Sequence, residues 1–149
     1  MHFIPLLGKH LKDDEVLELL EDHDIEVVYD FDRTHENIAD KYWAASKKDG
    51  FQFRFSAEQM LDVVFLYVAP VDGFDAIDCA DLDVPLFAGV ADVEAHCAAK
   101  KLGFTKGHMR GGVLSDRDWA RIDAGTHSIH YDFRTGTLTI ITMSDLRKR

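Results

Sequence analysis

Two carboxylates at alternate positions, Asp30 and Asp32, follow the β-branched run from Ile25 to Tyr29, with Thr34, His35 and Glu36 close behind. Carboxylate and imidazole side chains gathered in this way are the types that hold divalent cations. Here they stand alone, because no second cluster elsewhere in the chain completes a coordination sphere. His127 and His130 are three apart on an expected strand, so they point to opposite faces and cannot share a metal. Cys97 falls on the inward side of an expected helix, which removes it as a catalytic thiol. The chain contains no Gly-x-Ser-x-Gly elbow, Gly-x-Gly-x-x-Gly fingerprint or Walker A loop, and Gly107–Gly112 is expected to be a loop to which Gly111-Gly112 lends flexibility. No metal and no cofactor are expected.

The run Val27-Val28-Tyr29-Asp30-Phe31-Asp32-Arg33-Thr34 resembles the first motif of the haloacid-dehalogenase-like phosphatases. That resemblance implies a phosphoryl nucleophile at Asp30, an acid/base at Asp32 and Mg²⁺ between them. It covers about eight residues. The family's later strand-terminal Ser or Thr, its lone Lys, its late Gly-Asp-x-x-x-Asp and its alternating parallel architecture are not found. A small Mg-dependent phosphatase is therefore the alternative expectation, and a non-enzymatic protein the leading one.

Charge argues for the leading expectation. The 27 acids and 17 Lys+Arg leave a net −10, unsuited to direct phosphate contact with nucleic acid. The charge is also uneven: residues 13–40 carry −11, residues 72–94 carry −7, and residues 95–149 carry +5. Such polarity suits a basic partner.

The elements that must position these groups follow from periodicity. A chain of 149 residues is expected to form one domain that builds its core without staples. Val16, Leu19 and Leu20 recur at helical spacing within Lys12–Asp22, with Glu15, Glu18, Glu21 and Asp22 on the other face. Strands are expected at Ile25–Tyr29, Phe51–Phe55, Leu61–Ala69, Trp119–Ile122, Ser128–Phe133 and Leu138–Met143, while Tyr42–Ser46 is ambiguous. Asp49-Gly50 signals a hairpin turn, and Phe74–Gly89 is expected to be an irregular acidic connection. Asp92–Leu102 should form a second helix with Val93, Cys97 and Ala98 inward, stopped by Gly103. The fold class is α+β: an antiparallel sheet of about five or six strands with two helices packed on one face. Cys79 and Cys97 form no CxxC pair and are expected to be buried thiols. With no basic leader and no apolar run of bilayer-spanning length, a cytoplasmic protein without membrane contact is expected.

In order, Leu7-Gly8-Lys9, Asp14 with Val16 and Leu19-Leu20, a hairpin led by Gly50, the Phe51/Phe53/Phe55 strand, Val64-Phe65-Leu66-Tyr67, Trp119-Ala120-Arg121-Ile122-Asp123, Ile129–Phe133 and Leu138–Met143 resemble small bacterial immunity proteins of polymorphic-toxin and contact-dependent growth inhibition systems. The resemblance spans residues 6–143 and implies a cytoplasmic protein that neutralises a cognate toxin domain. A basic nuclease is the toxin class that the acidic stretches suit. The family's binding surfaces vary, so no residue role is carried over. Charge and neighbouring aromatics nominate Glu18, Glu21, Asp22, Asp24, Asp30, Asp32, Glu36, Trp43, Asp72, Phe74, Asp75 and Asp78 as partner-binding residues, with Tyr42 a further aromatic beside them.

Overall fold

The computed structural model describes residues 1–31, 39–80, 82–109 and 116–147. Asp32, Thr34, His35, Glu36, Asp81, Gly111 and Gly112 lie outside them. The described residues form one antiparallel sheet of eight strands: β1 (Val27–Asp30), β2 (Lys41–Ser46), β3 (Phe51–Phe55), β4 (Leu61–Tyr67), β5 (Gly103–Met109), β6 (Arg117–Asp123), β7 (His127–Arg134) and β8 (Thr137–Asp145). Their spatial order is β1-β2-β3-β4-β8-β7-β6-β5, so the last strand in sequence lies at the centre and β1 and β5 form the edges. The two α-helices are α1 (Asp14–Asp22) and α2 (Val90–Lys100).

The expected α+β class and antiparallel sheet are present, but the strand number of five or six is corrected to eight. The ambiguous Tyr42–Ser46 segment is β2. The segment from Gly103 to Met109, expected to be a helix stop followed by loop, is β5. It escaped notice because an edge strand that is largely exposed on both faces shows no hydrophobic alternation. α2 ends two residues earlier than expected, at Lys100, and the left-handed φ of 56° at the following Lys101 lets Leu102 donate its amide to the Cys97 carbonyl. Val93 and Cys97 face inward as expected, whereas Ala98 is exposed.

Register explains why one face of this sheet becomes the core. Ala44, Phe53, Val64, Met143, Ile129 and Ile122 stand opposite one another across six successive strands, and all are buried. Side chains alternate between faces, so the strict Phe51, Phe53, Phe55 pattern commits all three rings to that side. Val16 and Leu20 of α1 join the same apolar cluster, as do Val93 and Cys97 of α2. The acidic connection also packs there. Ile77 and Val84 reach the core, and the Tyr131 hydroxyl donates to the Pro85 carbonyl at 2.7 Å. Among the described residues no helix is long and apolar enough to cross a membrane.

Candidate interaction surface

α1 forms because its apolar stripe can be buried while its acids remain in water. Asp14 and Glu15 occupy the first turn, where the helix dipole favours negative charge. Glu21 and Asp22 occupy the last turn, where it does not, and no basic residue accompanies them there. Glu18, Glu21, Asp22 and Asp24 are all exposed, and Asp24 leaves the helix with a φ of 52°.

The C-terminal end of α1 is fastened to the β2–β3 turn. His23 Nδ1 lies 2.8 Å from Asp49 Oδ2, and the Ser46 hydroxyl donates to the same oxygen at 2.7 Å. Hydrogen bonds from His23 and Ser46 hold the Asp49 carboxyl below its ordinary value. The His23 ring also stands edge-on to Phe51, 5.1 Å between centroids.

The acidic connection arrives at the same place. The Asp75 amide donates to the Lys47 carbonyl at 2.8 Å, and the Ile77 amide to the Tyr67 carbonyl at 2.8 Å. His23, Lys48, Asp49, Ile77 and Asp78 then line one cleft of about 350 Å³. The two acidic stretches, separated in sequence by residues 41–71, therefore each contribute to one cleft, through His23 and Asp78. Asp78 lines it together with Lys48, and Asp72 and Asp75 are exposed earlier in the same connection.

The remaining nominated residues lie elsewhere or differ in character. Phe74 is 7% exposed, its ring stacked 3.9 Å from that of Tyr67, so it has little surface to present to a partner. An adjoining acidic stretch nominates it; the stacking on Tyr67 is not visible from sequence. Trp43 is half-buried on the face of the sheet away from the helices and stacks on Phe65 at 6.2 Å. Tyr42 is half-buried and stacks on Tyr29 at 4.9 Å. Asp30 is exposed at the end of β1, opposite Lys41. Asp32 and Glu36 lie outside the described residues.

One feature of that outer face was missed in sequence. Trp119 stacks on His130 at 5.3 Å, and the pair lines a cleft of about 370 Å³ with Phe65, Met109, Arg117 and Ile140. Burial pushes the His130 ring below its ordinary value, Arg121 adds to this, and Asp132 opposes it. No sequence spacing announces this pairing, because it depends on the β6–β7 register.

Other chemistry has little support in the geometry. Among the described residues no group of three His, Cys, Asp or Glu side chains could hold a metal ion. Burial raises both thiols, Cys79 half-buried and Cys97 buried, which disfavours the reactive thiolate. His108 contacts Asp118 in an exposed cross-strand pair between β5 and β6. In comparisons with family models, curated proteins and solved structures, nothing matches this chain.

Proposed function

We propose that the chain is an immunity-type inhibitor that binds a basic toxin domain of the nuclease class through its acidic surface, in the cytoplasm and without a cofactor. The observation that carries this reading is that the exposed acids of α1 lead into His23, which shares one cleft with Asp49 and with Asp78 of the acidic connection. A nuclease must present Lys and Arg to its substrate, so an inhibitor with concentrated carboxylates meets complementary charge at the site it has to block. The charge distribution disfavours direct contact with nucleic acid for the same reason.

The alternative reading, a Mg-dependent phosphatase using Asp30 and Asp32, has no specific observation in its favour. Asp30 ends an edge strand of an antiparallel sheet. Co-expression with the products of the flanking reading frames tests the leading proposal. The expected result is that one basic product is toxic alone, is relieved by this chain, and elutes with it in equal amounts. If no flanking product is both relieved and bound, the inhibitor reading fails. Hydrolysis of a phosphate ester with Mg²⁺ that disappears in Asp30→Asn would put the phosphatase in its place.

A further inference from the structure

The edges of the sheet are built differently. β5 carries two glycines, and its Lys106 reaches Glu94 of α2 at 3.7 Å. An inward or edge lysine of this kind discourages pairing with another chain. β1 carries no lysine, and among the described residues it pairs only with β2. All four of its residues are exposed, and Val27, Val28 and Tyr29 retain 37%, 59% and 45% of their surface. An apolar edge strand open on one side is a template for strand addition.

The charges around β1 select what can be added. Glu26 and Asp30 flank Val28 at alternate positions, so all three project from the outer face of the sheet. Together with Trp43, which stands directly opposite Val28 on β2, they line a depression of about 440 Å³. On the other face Tyr29 is held by stacking on Tyr42 and by a 2.6 Å hydrogen bond from its hydroxyl to Asp40. A second copy of the chain is a poor occupant. Two-fold antiparallel pairing centred on Val28 would set Glu26 of each copy against Asp30 of the other, and like charges directly opposite destabilise a strand pair.

We infer that the free edge of β1 receives an extended segment of a partner protein with basic residues opposite Glu26 and Asp30 and apolar residues between them. Main-chain hydrogen bonds supply the pairing, and the two carboxylates fix its register. The inference names the partner segment that the acidic-surface reading leaves open, and rests on that reading only for the partner's basic charge.

The probe is the peptide Ac-Gly-Lys-Val-Thr-Val-Lys-Gly-NH₂ added to the full ¹⁵N-labelled chain. The expected result is chemical-shift change centred on Val27–Asp30 and at least tenfold slower exchange of β1 amides. The same peptide with Glu for Lys should bind at least tenfold more weakly, a comparison that needs no protein variant. Glu26→Lys with Asp30→Lys should reverse the preference between the two peptides. Methylating the peptide's backbone nitrogens should abolish binding.

Three results would overturn the inference. One is shifts confined to α1 and Asp75–Asp78, which leaves the acidic-surface reading standing. Another is β1 protection that grows with protein concentration in the absence of peptide, which identifies a second copy as the occupant. The third is no shift at β1 with peptide in large excess. The inhibitor reading fails independently, in the co-expression experiment.

Discussion

Gly50 runs directly beneath the backbone of Ile77. A Cβ at this position would stand 2.5 Å from the Ile77 nitrogen and 2.5 Å from the Asp75 carbonyl oxygen. The φ of Gly50 is +76°, a region L side chains rarely adopt. The neighbours are main-chain atoms fixed by hydrogen bonds to Tyr67 and Lys47, so they cannot swing aside. This contact holds the acidic connection against the β2–β3 turn and so brings Asp78 to the cleft that His23 lines.

Gly50→Ala should therefore lose about 2–4 kcal/mol, combining left-handed strain with overpacking. Gly73 supplies the control, since its φ is +84° but nothing lies within 4 Å of an added Cβ. Gly73→Ala should cost only the conformational part, about 1–2 kcal/mol. Urea unfolding midpoints measure both. Equal losses would mean that the connection does not press on Gly50.

Gly107 plays the corresponding part on the other half of the sheet. An added Cβ there would overlap the Trp119 indole, which lies across this glycine on the neighbouring strand. Gly107→Ala should push the indole off the sheet and break its stacking on His130. Trp43 is the only other tryptophan, so a Trp43→Phe background makes the emission specific. A red shift of the Trp119 fluorescence is expected in the alanine variant, and an unchanged spectrum would contradict the packing.

Those two glycines mark the boundary between what the sequence conveys and what it does not. The Asp49-Gly50 turn and the alternating phenylalanines of β3 were legible because both signals are local. α1 was legible for the same reason, through Val16, Leu19 and Leu20. β5 was not, because Gly107 looks like a loop residue until Trp119 is known to lie across it. The acidic stretches could be counted along the chain, since charge is visible residue by residue. Their meeting at His23 and Asp78 could not, because it follows from a connection routed over Gly50. Phe74 shows the same limit: it adjoins an acidic stretch, but its burial against Tyr67 is a contact its sequence neighbours do not reveal.

Asp49 should make stability fall in acid. Its carboxyl is held below the ordinary value of 3.8 by hydrogen bonds from His23 and Ser46. A group whose folded pKa is depressed contributes its full stabilisation above the unfolded pKa and loses it as pH falls through the folded value. Wild type should thus exceed Asp49→Asn in urea midpoint at neutral pH, and the gap should close below pH 3.8. A gap that persists unchanged to about pH 2 would mean that the bonded carboxylate is not its source.

Charge steering by α1 is separable from contact chemistry by its response to salt. Glu18, Glu21, Asp22 and Asp24 are exposed, and their replacement by lysine leaves the buried Val16 and Leu20 untouched. If this face guides a basic toxin domain, the fourfold reversal should slow association by about tenfold or more at low ionic strength. The dissociation rate should change much less, since rim charges act mainly on encounter. Raising salt to about 0.5 M shrinks the screening length to a few ångströms, so the two association rates should converge. Stopped-flow measurements across a salt series resolve this. An association rate that is unchanged at low salt would reduce the first acidic stretch to a solvated helix face, and the exposed acids of the Asp72–Asp78 run would then have to carry the steering alone.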